Sequence, residues 1–188
     1  MSAGGTAEQS PPHRGRTLIL GLGNPILADD GVGIAVARET ERLLGARDGV
    51  ETREASFAGL DLVELLAGFD RAILVDAIKT PRGEPGTVYK LDPDDLPTTD
   101  RLRATHEISL STALELGGRM GLSMPREIVI YAVEVEDDRS FGEALTSKVA
   151  GAVRPTAARV AAEALAEAQP GDPASSGAED VPASSERT

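Results

Sequence analysis

The chain has 188 residues, a formal net charge of -12 and no cysteine, and aromatic residues make up only 3% of it. The length fits one domain with flexible ends. Without cysteine the chain has no disulfide, no zinc–cysteine site and no thiol nucleophile, which is compatible with a reducing cytoplasm. The acidic balance argues against nucleic acid and anionic membranes as partners, because phosphate binding requires a basic surface. No apolar run approaches the roughly 20 residues of a membrane span, so we expect no membrane insertion.

Low-complexity sequence flanks the predicted domain on both sides. Residues 1–15 are rich in Gly, Ser and Pro, and residues 169–188 are rich in Pro, Ala, Ser and acidic residues. Such segments bury too little apolar surface to fold. We therefore expect a disordered N-terminal tail, a domain of residues 16–168 and a disordered acidic C-terminal tail.

Within the domain, apolar runs alternate with segments of helical periodicity. Strands are predicted at about 17–22, 50–56, 72–75, 87–91 and 128–133. Helices are predicted at about 31–44, in a short segment that begins near Gly59, and at 107–117, where Gly117-Gly118 ends the helix. Two more helices are predicted after the last strand, one from Ser140 to Val153 and one that Pro155 starts or kinks. The run 72–75 is typical of a central strand buried on both faces, and it ends in Asp76. This alternation predicts a three-layer α/β domain with a mostly parallel sheet, in which one edge strand can run antiparallel.

The loop after the first strand carries Gly21, Gly23 and the acidic pair Asp29-Asp30. Its position at the carboxyl end of a strand is where ligands bind in open α/β sheets. A dinucleotide site is disfavoured, because Ile26 stands where Gly-x-Gly-x-x-Gly requires its third glycine and the acidic pair would repel a pyrophosphate.

Three residues are candidates for a metal site: Asp30, Asp76 and His106. The two acids follow strands that end at the same edge of the sheet, and the loop that carries His106 can return over that edge. Two carboxylates and one imidazole form a facial site with open positions that suits a borderline divalent ion. Because no thiolate competes, the site should be weak and exchangeable.

Each candidate also has a structural interpretation. Asp30 can cap the following helix, Asp76 can bond a neighbouring loop, and a single histidine before a helix is more often structural. Asp29 is an alternative ligand, although Asp30 is favoured because it lies nearer the helix start. A carboxylate after so apolar a strand is costly unless it is used, which favours a functional Asp76.

Four segments together resemble the [NiFe]-hydrogenase maturation endopeptidases. The loop 21–33 resembles the family's Gly-x-Gly-Asn opening with its acidic pair and following glycine. Segments 73–77, 85–96 and 105–110 resemble its Val-Asp-Ala strand, its Pro-Gly strand with an acidic turn, and its histidine loop. The resemblance covers about residues 17–165. It implies a three-layer α/β/α sandwich around a twisted, mostly parallel sheet of about five strands, of the phosphorylase/hydrolase-like type.

The resemblance also implies an activity. Members are aspartic-type or metal-dependent endopeptidases that remove the C-terminal extension of the hydrogenase large subunit precursor after nickel insertion. Asp30, Asp76 and His106 match the family's metal-contacting residues, and catalytic roles are implied for the same three. Position 30 is Asp where some members carry Glu, which shortens the reach to metal by one methylene. Nickel would arrive with the substrate, and other divalent ions could substitute for it. We expect a cytoplasmic, monomeric protease that activates its hydrogenase by processing it.

Two other functions fit parts of the sequence. Peptidyl-tRNA hydrolases begin with a segment similar to 21–25, but they need a basic channel and a His-Asn pair where this chain has Asp29-Asp30. A non-catalytic checkpoint or chaperone protein for the nickel centre would bind the precursor without cutting it. A cleavage assay on nickel-loaded precursor distinguishes that protein from a protease.

Overall fold

A computed structural model describes residues 15–56, 60–93 and 110–166. The predicted tails, apart from Gly15 at one end, and the candidate ligand His106 lie outside the described residues. In chain order the elements are β1 (Thr17–Leu22), a 3₁₀ helix (Ala28–Gly31), α1 (Val32–Leu44), β2 (Val50–Ala55), α2 (Asp61–Leu66), β3 (Arg71–Ile78), β4 (Val88–Leu91), α3 (Leu110–Arg119), β5 (Glu127–Glu134) and α4 (Ser147–Leu165).

The strands form one sheet in the order β2-β1-β3-β5-β4. Strands β2, β1, β3 and β5 pair in parallel, and β4 pairs antiparallel with β5 at the edge. Both β1 and β3 are buried along their whole length, as their apolar sequences predict for strands covered by helices on both faces. The mostly parallel sheet with an antiparallel edge strand is therefore confirmed.

Two apolar clusters fill the space between the sheet and its helices. One cluster joins Leu74 of β3 to Leu66 of α2 and Ala113 of α3. The other contains Ile73, whose side chain points to the opposite face, together with residues of α1 and α4. The sheet is thus covered by two helices on each side, which confirms the three-layer sandwich.

The central strand β3 extends beyond its predicted end. It continues to Ile78, so the prediction that it stops at Asp76 is wrong. On one side β1 pairs with β3 only as far as Val75, whereas on the other side β5 continues alongside Asp76 and Ile78. Asp76 therefore lies where the strand loses one of its two neighbours, near the carboxyl edge of the sheet.

The helix α3 does not end at Gly117-Gly118, as the sequence predicts, but continues to Arg119. A β-carbon at Gly117 would lie 2.4 Å from Sδ of Met124. Glycine at this position allows the Met124 side chain to pack against the helix. Gly117 therefore allows close packing and Gly118 faces open space, and neither residue ends the helix.

One continuous helix, α4, replaces the two helices predicted after the last strand. Ser140 does not cap it, since the N-cap is Thr146, and Pro155 lies inside it. Proline removes a helical hydrogen bond and usually breaks a helix. Here Pro155 is exposed, while Ala152 and Thr156 on either side of it are buried, so packing keeps both halves in one helix. Neither α4 nor another helix in the described part of the chain is long and apolar enough to cross a membrane.

Candidate active site

Gly23 allows the loop after β1 to fold back over the acidic pair. Its φ of +134° lies in the region that favours glycine, and a β-carbon there would lie 1.9 Å from the carbonyl oxygen of Asp30. The backbone N–H of Asn24 then donates a 2.9 Å hydrogen bond to Oδ2 of Asp30. The Gly-x-Gly-Asn sequence therefore positions Asp30 through both its backbone and its carboxylate.

Gly33 brings the start of α1 into contact with the ends of the central strands. A β-carbon at Gly33 would lie 2.2 Å from the carbonyl oxygen of Leu22 and 2.3 Å from that of Val75. The 3₁₀ helix that carries Asp30 also contacts β3. As a result, Asp30 and Asp76 belong to adjoining segments at the carboxyl edge of the sheet, as the sequence predicts.

Asp30 is largely buried, with 8% of its surface exposed. It is not the N-cap of α1, because Gly31 occupies that position, without a side-chain cap hydrogen bond. The capping interpretation of Asp30 is therefore wrong. Its carboxylate accepts the Asn24 amide instead and lies at the edge of the sheet.

Asp76 is almost completely buried, at 1% exposure. Its Oδ1 accepts a 2.8 Å hydrogen bond from the backbone N–H of Ala77. In the sheet it lies beside Ala132, which belongs to the apolar cluster beneath α2 and α3. Asp76 therefore faces the side of the sheet that carries α3, the helix that follows His106 in the chain. Burying a charge at this position costs several kcal/mol unless partners or ligands compensate for it.

Asp29 has a structural role within the acidic pair. It is completely buried, and its Oδ1 accepts the N–H of Thr146 at 2.6 Å. Its Oδ2 accepts the hydroxyl of Thr146 at 3.0 Å and the N–H groups of Glu136 and Asp137 at 3.1 and 3.0 Å. Four donors thus surround this carboxylate, which favours Asp30 over Asp29 as the ligand.

The loop 136–146, which joins β5 to α4, is bonded to Asp29 at the carboxyl edge of the sheet. The carboxylate of Asp137 accepts the N–H groups of Arg139 and Ser140 at 3.1 and 3.0 Å. Hydrogen bonds from Ser140, by its side chain first and then its backbone, and from the Arg139 backbone lower the pKa of Asp137 to about 2. Lys79, just after β3, forms a 3.1 Å ion pair with the buried Asp138. These contacts fix the loop against the carboxyl edge of the sheet.

Glu134 is a buried carboxylate that the sequence analysis did not single out. It is 1% exposed and accepts the N–H of Thr80 at 2.6 Å and its hydroxyl at 3.0 Å. A β-carbon at Gly83 would lie 1.9 Å from Cδ of Glu134, so glycine lets the loop close over the carboxylate. Glu134 therefore holds the segment that follows β3. Its only sequence signal is an acid at the end of an apolar run, the same signal that identified Asp76.

Metal binding requires ligands that converge. Among residues 15–56, 60–93 and 110–166, no group of three or more His, Cys, Asp or Glu side chains is placed to hold an ion. Asp30 and Asp76 belong to this part of the chain, whereas His106 lies outside it. The site formed by Asp30, Asp76 and His106 therefore stays a prediction.

Comparison with known proteins identifies the family. A sequence model of the hydrogenase maturation proteases, HycI, matches residues 34–163. The chain belongs to the hydrogenase maturation protease family. Members of this family are endopeptidases that process the hydrogenase large subunit. The endopeptidase function predicted from the sequence is confirmed at this level, and the matched segment includes Asp76 and His106 but begins after Asp30.

Individual relatives and a solved structure agree with this assignment. The hydrogenase expression/formation protein HoxM of Azotobacter vinelandii is 31% identical over 152 residues, which cover 80% of this chain and 72% of that protein. The hydrogenase 2 maturation protease of Escherichia coli is 28% identical over 120 residues, covering 63% of this chain and 72% of that one. The hydrogenase maturating endopeptidase HybD from E. coli superposes with a TM-score of 0.67 at 27% identity, covering 79% of this chain and 91% of HybD. The fold expected for the family is thus confirmed.

Proposed function

We propose that this protease removes the C-terminal extension of a [NiFe]-hydrogenase large subunit precursor after nickel insertion, and that Asp30, Asp76 and His106 contact the nickel. The observation that carries the proposal is that Asp29 and Asp30 have different surroundings. Asp29 is surrounded by four hydrogen-bond donors, whereas Asp30 lies on a turn that contacts the strand of Asp76. This arrangement supports a recognition site made from one acid of the pair and the acid of the central strand.

The proposed donor set suits a nickel ion that the substrate already holds. Two carboxylates and an imidazole offer oxygen and nitrogen ligands, and the chain contains no cysteine. Such a set can complete the coordination of an ion without competing with the thiolates of another protein. Nickel is then part of the substrate, and its presence signals that the precursor is ready for cleavage. Other divalent ions with similar ligand preferences can substitute for it.

The buried acids suit the site to hydrolysis of a peptide bond. The burial of Asp30 and Asp76 lowers the local dielectric and strengthens their electrostatic interactions. One of these carboxylates positions the attacking water and accepts its proton as a general base. The water oxygen bonds to the carbonyl carbon, the C–N bond breaks, and the leaving nitrogen takes up a proton. The nickel carried by the substrate would add Lewis acidity at the scissile carbonyl.

We place this reaction in the cytoplasm, with the protease acting as a monomer on the precursor. The thiolates that would hold nickel in the substrate stay reduced in that compartment. The chain itself has no cysteine that would exchange with them.

The test is a cleavage assay on purified precursor with and without nickel. Wild-type protease should shorten only the nickel-loaded precursor. Asp76→Asn keeps the size of the side chain but removes its charge, and we expect it to slow cleavage by about 100-fold or more while the protein stays folded. Asp48→Asn, at an exposed position, is the matched control and should cut at the wild-type rate.

Three results would count against the proposal. Equal cleavage with and without nickel would contradict nickel recognition. A precursor that binds but stays uncut would indicate a checkpoint protein rather than a protease. If Asp76→Asn lowered only thermal stability, the structural interpretation of Asp76 would be correct.

A further inference from the structure

Two large apolar side chains are exposed on neighbouring loops at the carboxyl edge of the sheet. Phe141 is 86% exposed and Ile26 is 51% exposed. The N–H of Gly142 donates to the carbonyl oxygen of Ile26 at 3.0 Å, and the carbonyl oxygen of Gly142 accepts the N–H of Ala28 at 2.7 Å. The two exposed residues therefore occupy adjacent positions on joined backbones, and we call them the Ile26–Phe141 patch.

This patch lies on the two loops that are bonded to the acidic pair. Ile26 belongs to the loop that leads to Asp30, and Asn24 of that loop donates to the Asp30 carboxylate. Phe141 belongs to the loop 136–146, which is bonded to Asp29. A protein substrate that reaches Asp30 therefore passes close to the patch.

The loop that carries Phe141 is held in place by polar contacts. Asp29 binds both ends of the loop, through Asp137 and Thr146, and the Asp137 carboxylate accepts the N–H of Ser140 at 3.0 Å. The phenyl ring is left in water, where its exposure is unfavourable. Because the backbone beneath it is already ordered, covering this ring costs little additional conformational entropy.

We propose that the Ile26–Phe141 patch is a docking surface for the hydrogenase large subunit precursor, on which an apolar side chain of the precursor packs beside the segment to be cut. This inference rests on the proposed function. Large aromatic side chains often dominate the binding energy of interfaces, and a phenylalanine on a fixed loop is suited to that role.

The chain's own C-terminal tail begins at the edge of the sheet opposite the patch. The C-terminal tail follows Ala166, whose carbonyl oxygen accepts a 3.3 Å hydrogen bond from Arg71. Arg71 is the first residue of β3, so this tail leaves from the amino edge of the sheet. The patch lies at the carboxyl edge, where we propose that the substrate is bound.

The test compares Phe141→Ala with Met120→Ala, because Met120 is also exposed, at 62%, but lies at the end of α3 away from the site. Cleavage of nickel-loaded precursor gives KM and kcat, and calorimetry with each variant made in the slowly cutting Asp76→Asn background gives Kd. We expect Phe141→Ala to raise KM and Kd about tenfold, with kcat and the melting temperature unchanged. Phe141→Leu should restore most of the affinity, and Met120→Ala should behave as wild type.

Several outcomes would overturn the docking surface. Unchanged KM and Kd in Phe141→Ala would show that the precursor does not use the patch. A dimer that dissociates on this substitution in analytical ultracentrifugation would assign the patch to a second copy of the chain. Tighter precursor binding both by a form that lacks residues 167–188 and by the full-length Phe141→Ala variant would assign the patch to the C-terminal tail. If the wild-type protein binds the precursor without cutting it, the proposed function fails, while the Kd comparison still tests the patch.

Discussion

Thr146 donates twice to the carboxylate of Asp29, through its N–H at 2.6 Å and its hydroxyl at 3.0 Å. Thr146 is the N-cap residue of α4. The contact therefore connects the start of the last helix to the turn that carries both Asp29 and Asp30. A buried carboxylate with four donors is a stabilising element only while all four bonds are made.

Replacing Asp29 should therefore destabilise the whole domain. Asp29→Ala leaves three backbone N–H groups and one hydroxyl without their acceptor, and we expect the free energy of unfolding to fall by about 3 kcal/mol. Urea denaturation measures this loss. Asp48→Ala, at an exposed position, should change stability by less than about 0.5 kcal/mol. A stability equal to wild type in Asp29→Ala would mean that the four hydrogen bonds contribute nothing.

Gly33 provides a test of how the site is assembled. Alanine there would bring a β-carbon to 2.2 and 2.3 Å from two backbone carbonyl oxygens, so α1 must move away from β1 and β3. We expect Gly33→Ala to cost about 2 kcal/mol of stability and to reduce cleavage, because the adjoining turn carries Asp30. The matched control is Gly118→Ala in α3, where a β-carbon meets open space. That change should stabilise the protein by roughly 0.5–1 kcal/mol, and equal effects of the two substitutions would contradict the packing argument.

Tyr131 and Glu163 make the stability of the domain sensitive to high pH. Burial, followed by the hydrogen bond from the Tyr131 hydroxyl to Glu163 at 3.0 Å, raises the pKa of Tyr131 from 10.0 to about 12. Folding therefore favours the neutral phenol, and its contribution to stability is complete below pH 10 and is lost as the pH rises towards 12.

Glu163→Gln tests this account of Tyr131. The substitution removes the carboxylate charge, and we expect the pKa of Tyr131 to fall towards its usual value, although burial still raises it. Ultraviolet absorbance of the phenolate follows the titration. Because the chain has two tyrosines, Tyr131→Phe serves to subtract the signal of Tyr89. An unchanged Tyr131 titration in Glu163→Gln would exclude the carboxylate as a cause.

Local pattern was sufficient to predict the elements nearest the site. The sequence predicts the first strand at 17–22 and the first helix at 31–44, and the structure has Thr17–Leu22 and Val32–Leu44. The strand is a continuous apolar run before Gly23, and the helix carries apolar residues at helical spacing and ends before Gly45. The sequence indicates Asp30 and Asp76 for the same reason, because each acid follows an apolar run that must end at one edge of the sheet.

The remaining features depend on contacts between distant segments. The partners of Asp29 lie 107 to 117 residues further along the chain, so sequence spacing could not separate its role from that of Asp30. The sequence predicts that Pro155 starts or kinks a last helix, yet buried residues on both sides of it keep α4 continuous. In both cases tertiary packing decides between local alternatives that look equivalent in sequence.

The central claim is that Asp30, Asp76 and His106 meet at one ion. A crystal structure of the protease soaked with Ni²⁺, with the ion located by anomalous scattering, tests it most directly. We expect one ion at the carboxyl edge of the sheet, with a carboxylate oxygen of each acid and a ring nitrogen of His106 at about 2.0–2.3 Å. An ion bound without Asp30 and Asp76, or an imidazole of His106 directed away from both acids, would contradict the claim.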